Sequence, residues 1–183
     1  MSPTSPTDQP EASTAVPPET IIQTHHTITL NGQELAYTAT TGALTLKEEI
    51  EKEDKSEGEK ARATIFFVAY TKDGAEPGQR PITFAFNGGP GSSSVWLHLG
   101  LLGPKRVLAE ADGSPTPPPY RLVDNEYSLL DQSDLVFIDP VSTGFSRVVP
   151  GEKPKEFHGF KKDIASVGDF IRLYTTRLNP VQH

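Results

Sequence analysis

The chain has 183 residues, a formal net charge of −7 and no cysteine. Its length allows one ordinary domain, and its negative charge, without any concentrated group of Lys or Arg, argues against nucleic acid or an anionic membrane as a partner. The absence of cysteine excludes disulfides and thiolate metal sites.

The start of the chain carries no recognisable targeting signal. The first Lys or Arg is Lys47, and no apolar run reaches the roughly 18 residues of a membrane-spanning helix. We therefore expect no signal peptide or transmembrane segment, and a cytoplasmic location if the chain is expressed as written; the localisation is otherwise left open. Residues 1–20 contain five prolines and many Ser and Thr. They are predicted to form a disordered tail before one folded unit at 21–183.

The first predicted element is a β-hairpin. Asn31-Gly32 separates the segments 27–30 and 34–38, and both turn residues tolerate positive φ. Residues 48–60 are almost all polar and predict a solvated loop or a short exposed helix. The β-branched and aromatic run at 63–70 predicts a further strand, which a turn connects to another strand at 82–86.

The second half of the chain predicts helices alternating with a buried strand. Residues 93–102 predict a short helix that Gly103-Pro104 ends. The Pro-rich segment 113–120 is expected to be irregular and exposed. Residues 135–138 form an unbroken apolar run, typical of a strand buried on both faces of a parallel sheet.

The last predicted element is an amphipathic helix of about six turns. Its apolar residues recur at spacings of three and four. They are Phe157, Phe160, Ile164, Val167, Ile171, Tyr174 and Leu178. The order of elements predicts an α/β fold that begins with an antiparallel hairpin and continues with mixed or parallel strands and packed helices.

A glycine-rich loop follows the predicted strand at 82–86. Residues 87–94 have the sequence Asn-Gly-Gly-Pro-Gly-Ser-Ser-Ser. Glycine lets backbone N–H groups approach a ligand closely, and proline fixes one dihedral angle, so that these donors keep one direction. Such a loop can hold an oxyanion, and the alternative is an ordinary turn between a strand and a helix.

A second motif, Asp-Leu-Val-Phe-Ile-Asp-Pro-Val-Ser-Thr-Gly-Phe-Ser, occupies residues 134–146. In this order the two motifs resemble the serine carboxypeptidase family of α/β-hydrolases, and the resemblance covers roughly residues 61–178. It implies an α/β-hydrolase-type sheet, of which this chain would be the N-terminal portion only. It also implies a serine-type carboxypeptidase without a cofactor, whose substrate is a peptide with a free C-terminus.

The resemblance assigns roles to three residues of the loop. The Gly89 N–H would form part of the oxyanion hole, while the Asn87 side chain and the Gly88 N–H would hold the substrate carboxylate. The family's G-E-S-Y-G nucleophile elbow, triad acid and histidine are absent, so we expect this chain alone to be inactive. A serine carboxypeptidase-like acyltransferase and a non-catalytic remnant or binding module remain open, as does the oligomeric state.

Three other positions bear on the site. Ser146 lies in a segment that imitates a nucleophile elbow, but Val148 replaces its final glycine, so we expect residues 144–148 to form a pocket wall instead. Ser142 replaces a glycine that is usual in the family. His98 is expected to be an ordinary polar position on the short helix, near the edge of the site. No two histidines have the spacing of a helical metal site, and no metal is expected.

Overall fold

The structure, a computed structural model, describes residues 16, 18–52, 55–76, 78–88 and 91–178. Most of the predicted disordered tail and the predicted oxyanion-hole residue Gly89 lie outside these ranges. None of the helices formed by the described residues has the length and apolar character needed to cross a bilayer.

In the described part of the chain, eight strands form two sheets. They are β1 (Ile21–Leu30), β2 (Gln33–Lys52), β3 (Lys55–Lys72), β4 (Ile82–Ala85), β5 (Lys105–Val107), β6 (Leu122–Asp124), β7 (Asp134–Ile138) and β8 (Arg147–Val148). The main sheet has the order β1-β2-β3-β7-β4, with β8 also paired to β3, and β5 pairs with β6 separately. Only β4 and β7 run parallel, while the other neighbours are antiparallel. This mixed sheet confirms the predicted α/β class.

The β1–β2 hairpin forms at the predicted turn. Asn31 and Gly32 have φ values of 51° and 78°, as a two-residue turn with two left-handed positions requires. The register runs without a break from the pair Leu30 and Gln33 to the pair Ile21 and Gly42. The hairpin is therefore longer than the sequence pattern indicated.

Residues 48–52 and 55–60 belong to the far end of the β2–β3 hairpin, so the prediction of a solvated loop or exposed helix was wrong for this part of the segment. The strands carry opposite charges at neighbouring positions. Lys47 Nζ lies 3.1 Å from Glu59 Oε2, and Arg62 Nε lies 3.3 Å from Glu48 Oε2. Such cross-strand pairs stabilise a sheet. These two pairs therefore support strand pairing, although Glu49 lies directly opposite Glu59.

Two helices cover the sheet. Helix α1 (Val95–Leu97) continues as a π-helical turn, His98–Leu102, and ends at Gly103, close to the predicted bounds. Helix α2 spans Phe160–Arg177. Short 3₁₀ turns lie at Leu129–Asp131 and Pro154–Glu156.

The two helical segments lie on opposite faces of the sheet. Val136 and Ile138 of β7 belong to the core cluster that contains α2 residues. The alternate residues, Leu135 and Phe137, belong to a second cluster, against which Leu97 of α1 packs. Because neighbouring strand residues point to opposite faces, β7 is buried on both sides, as predicted.

Only part of the predicted apolar stripe on α2 is buried. Val167 and Tyr174 are buried, but Phe160 and Ile164 are 82% and 57% exposed. Phe170, which is not part of the predicted stripe, is fully buried, and its ring centroid lies 5.6 Å from that of Phe67 on β3. The buried face is thus rotated relative to the predicted one, and this leaves the first two turns of α2 with exposed apolar side chains.

A buried asparagine after β6 forms hydrogen bonds with the end of the first helical segment. Asn125 is 1% exposed, and its Nδ2 donates to the carbonyls of Leu101 (2.9 Å) and Gly103 (2.8 Å). The Ser128 hydroxyl donates to the Leu102 carbonyl at 2.9 Å. These contacts satisfy carbonyls that a helix end leaves without partners. Sequence analysis missed them because the donors lie more than 20 residues away in the chain.

Candidate active site

The glycine-rich loop and the loop after β7 meet at one edge of the sheet. Because β4 and β7 are parallel, both loops leave the carboxyl ends of their strands. In open α/β sheets this edge is where ligands bind. A cavity of about 670 Å³ lies there. It is lined by Phe86, Asn87, Gly88, Gly91, Ser92, Pro140, Val141, Ser142, Thr143, His158, Gly159, Phe160, Asp163 and Val167.

The cavity brings together two of the three predicted site residues. Asn87 and Gly88 lie in its wall, and Gly89 is outside the described residues. The opposite wall comes from the start of α2, where Phe160 and Val167 contribute apolar surface. His158 and Asp163 add polar groups to the same wall. A mostly apolar cavity with a few polar groups is the usual form of a small-ligand site.

Asn87 has its amide group oriented by the helix that follows the loop. Its Oδ1 accepts a long hydrogen bond of 3.4 Å from the Leu97 N–H. Among the described residues, no protein group accepts a hydrogen bond from Asn87 Nδ2. The side chain can therefore offer an N–H donor to an anionic ligand in the cavity.

A single carboxylate connects the two loops. Asp139, directly after β7, is 8% exposed. Its Oδ1 accepts from the Ser94 N–H at 2.9 Å, and its Oδ2 accepts from the Phe145 N–H at 3.1 Å. The Ser94 hydroxyl also donates to the Ile138 carbonyl. No role for Asp139 was predicted from the sequence, although an acidic residue directly after a buried strand is a signal that could have identified it.

Gly144 lies against this carboxylate. Its φ is +45°, and a Cβ at this position would overlap the Asp139 carboxylate group. The backbone of the second loop can approach Asp139 this closely only because residue 144 has no side chain. Gly144 is therefore required for the connection between the loops.

Ser146 is a structural residue. It is fully buried, its hydroxyl donates to the Asp139 carbonyl at 2.6 Å, and it accepts from the Phe66 N–H at 2.8 Å. These contacts agree with the prediction that Ser146 is not a nucleophile. The predicted pocket wall at 144–148 is wrong, however, because residues 140–143 form that wall instead.

Ser142, in this wall, adopts a backbone conformation that glycine adopts more readily than other residues. Its φ is +70°, in the left-handed region.

We expect Ser142→Gly to raise the free energy of unfolding by up to about 1 kcal/mol, because it relieves this strain. Ser142→Val should lower it by about 1 kcal/mol or more, since β-branched residues are the least tolerant of positive φ. Urea unfolding measures both effects. Ser92→Gly, also in the cavity wall, is the matched control and should be destabilising. Equal effects of glycine at 92 and 142 would contradict the strain argument.

His98 lies in an aromatic cluster rather than in the cavity wall. Its Nε2 is 2.6 Å from the Tyr70 hydroxyl, and its ring stacks on Phe137 with centroids 4.7 Å apart. Burial lowers its pKa from 6.5 to about 4, although the charge of Asp139 acts in the opposite direction. His98 is therefore neutral near pH 7, and the prediction of an ordinary polar position did not include this packing.

One group of hydroxyl, imidazole and carboxylate occurs outside the cavity. The Thr38 hydroxyl donates to Asp73 Oδ1 at 2.7 Å and lies 2.9 Å from His25 Nδ1. In a catalytic triad the hydroxyl donates to the histidine, so this arrangement is not one. Within the described part of the chain, no serine hydroxyl is hydrogen-bonded to a histidine, and no three acidic or histidine residues converge as a metal site.

Comparisons with known proteins agree with this architecture. The sequence model of the serine carboxypeptidase family matches residues 55–171. The chain is 36% identical over 132 residues to the pheromone-processing carboxypeptidase KEX1 of Saccharomyces cerevisiae strain S288c, and the same values apply to KEX1 of strains JAY291 and Lalvin EC1118. The alignment covers 68% of this chain and 17% of KEX1. The chain therefore belongs to the serine carboxypeptidase family.

Proposed function

We propose that the protein acts in serine-type carboxypeptidase chemistry, and that the cavity binds the C-terminal end of a peptide. Family membership supports the reaction class. The observation that carries the substrate proposal is the Asn87 amide, whose oxygen is engaged by the Leu97 N–H while its nitrogen remains available at the cavity. A neutral donor of this kind can bind a carboxylate without a buried cation.

The roles proposed here for the loop residues are those that membership of the family implies. Asn87 Nδ2 and the Gly88 N–H hold the carboxylate of the substrate, and the Gly89 N–H stabilises the oxyanion of the tetrahedral intermediate. Preorganised donors of the last type contribute roughly 3 kcal/mol or more of transition-state stabilisation each. Asp139 contributes indirectly, because it fixes the Ser94 end of the loop.

These 183 residues alone are proposed to bind and not to hydrolyse. Ser146 is buried and hydrogen-bonded on both sides, and no described serine has a histidine partner. A serine-directed fluorophosphonate should therefore leave the purified chain unlabelled. Covalent labelling of any serine would contradict this expectation.

The carboxylate proposal can be tested on the chain itself. We expect a blocked dipeptide with a free C-terminus to shift the NMR signals of the Asn87 side-chain amide and the Gly88 N–H. The corresponding peptide amide should shift them far less. Asn87→Ala should weaken binding of the free acid by about 1.5 to 3 kcal/mol, because it removes a donor to a charged acceptor.

The control variant is Ser92→Ala, which changes another residue of the cavity wall and leaves the amide donor in place. It should bind both peptides as the unchanged protein does. Equal responses to the free acid and the amide, or an Asn87→Ala variant that retains the preference, would show that Asn87 does not recognise the carboxylate. An esterase or acyltransferase function would then be favoured.

A further inference from the structure

Strand β1 forms one edge of the main sheet. Among the described residues it pairs with β2 alone, along all ten of its residues. Edge strands present unpaired backbone groups, and proteins commonly protect them with charged residues, proline or a bulge. β1 has the sequence Ile-Ile-Gln-Thr-His-His-Thr-Ile-Thr-Leu, without Lys, Arg, Asp, Glu or Pro, and its register has no bulge. Within the described part of the chain, the edge is therefore long and lacks these protections.

The hairpin turn determines which residues of β1 point their backbone groups outward. Leu30 and Gln33 close a two-residue turn, and such a closing pair exchanges both hydrogen bonds. Alternate pairs along the hairpin do the same. The even-numbered residues of β1 therefore bond to β2, and the odd-numbered residues direct N–H and C=O away from it. These outward residues are Ile21, Gln23, His25, Thr27 and Thr29.

We propose that β1 is the interface through which two copies of this chain associate, edge to edge and antiparallel, about a two-fold axis at His25. In this register Gln23 lies opposite Thr27 of the second copy, and Ile21 lies opposite Thr29. All five outward residues find partners, which gives about ten hydrogen bonds between the two copies. The two main sheets become one continuous sheet.

Two features favour a second copy as the occupant. The outward positions are spaced symmetrically about His25, so that every outward N–H and C=O group meets a partner group of the second copy, as an isologous interface requires. The edge also carries no formal charge in a chain of net charge −7, so like charges do not oppose each other across the axis.

Side-chain burial adds to this complementarity. Ile22 is 55% exposed and Ile21 is 37% exposed in the single chain. In the proposed register Ile22 lies opposite Ile28 of the second copy, which belongs to the buried core. Pairing therefore covers apolar surface as well as backbone groups.

Sedimentation velocity of the full chain over a wide range of concentration tests the association. The expected result is a reversible dimer of twice the chain mass of 19.9 kDa. Thr27→Pro removes an outward N–H without removing a β1–β2 hydrogen bond, and it should abolish the dimer. Thr27→Val keeps the N–H and should retain it. A monomer at all concentrations, or a dimer unaffected by the proline, would overturn the proposal.

Single cysteines test the register even if the proline variant fails to fold, because the chain has no cysteine of its own. Cys replacing His25 would face its counterpart across the axis at a Cα separation of about 5.5 Å. Cys replacing Gln23, the matched control, would lie about 14 Å from its counterpart. Both changes remove one cross-strand hydrogen bond. A short thiol crosslinker should join His25→Cys chains and not Gln23→Cys chains, and equal yields would overturn the register.

Discussion

Gly144→Ala is expected to destabilise the protein by about 3 kcal/mol or more. The added methyl group would overlap the Asp139 carboxylate, so the carboxylate or the loop must move. Movement of either one breaks the hydrogen bonds that Asp139 accepts from the Ser94 and Phe145 N–H groups. Hydrogen bonds to a charged group contribute about 1.5 to 3 kcal/mol each. Urea unfolding gives the loss of stability, and amide exchange at Ser94 and Phe145 reports the broken contacts.

Gly74→Ala is the matched control for this substitution. Gly74 also has a positive φ, of +70°, but a Cβ there would meet no neighbouring atom. Gly74→Ala therefore carries only the cost of the left-handed backbone, about 1 kcal/mol. If the two alanine variants were equally destabilised, the contact between Gly144 and Asp139 would have no energetic importance.

Lowering the pH from 6.5 to 4 is expected to destabilise the protein through His98. Its pKa is about 4 in the folded protein and 6.5 in the unfolded chain, so between these values the unfolded state binds more protons. The free energy of unfolding therefore falls as the pH falls, by up to about 1.4 kcal/mol per pH unit. The loss could reach about 3 kcal/mol, and it is complete once the pH is below the folded-state pKa.

The variant His98→Gln isolates this contribution from that of the carboxylates. Glutamine remains neutral at every pH and can still accept a hydrogen bond from the Tyr70 hydroxyl. Its stability should show a shallower slope between pH 4 and 6.5 and the same slope as the unchanged protein above pH 7. Parallel curves over the whole range would contradict the low pKa of the buried imidazole.

Sequence patterns predicted the elements whose conformation is determined by the residues of the segment itself. The turn at Asn31-Gly32 and the strand at 135–138 follow from residue type and periodicity. The far end of the β2–β3 hairpin could not be predicted in this way. Its charged residues form strands because β2 and β3 continue their pairing outward from the buried part of the sheet, and a local window of sequence does not show that partner.

The buried face of α2 also could not be predicted from a local window of sequence. Periodicity identified an apolar stripe, but which side of the helix is buried depends on contacts with β3. Phe170 is buried because Phe67 and Tyr174 surround it, whereas Phe160 extends over the cavity.

The sequence motifs identified residues that line the cavity. The residues that hold the surrounding loops in place were not predicted. Asn87 and Gly88 lie in the cavity wall, where the glycine-rich loop placed them. Asp139 and Asn125 were missed, because each acts on backbone groups of another segment of the chain. Such contacts require the three-dimensional arrangement of loops that composition and spacing do not specify.

Asn125 also determines how freely the length of the segment between residues 104 and 125 can change. Its side chain donates to the Gly103 carbonyl, and its backbone N–H donates to the Pro104 carbonyl at 2.9 Å. Asn125 therefore holds together the two ends of the segment between residues 104 and 125. Lengthening a closed surface loop costs little, because the closure entropy grows only slowly with its length. Evolution can therefore lengthen, shorten or replace this segment while the first helix and the cavity keep their positions. New binding specificity could be added here at little cost to the fold.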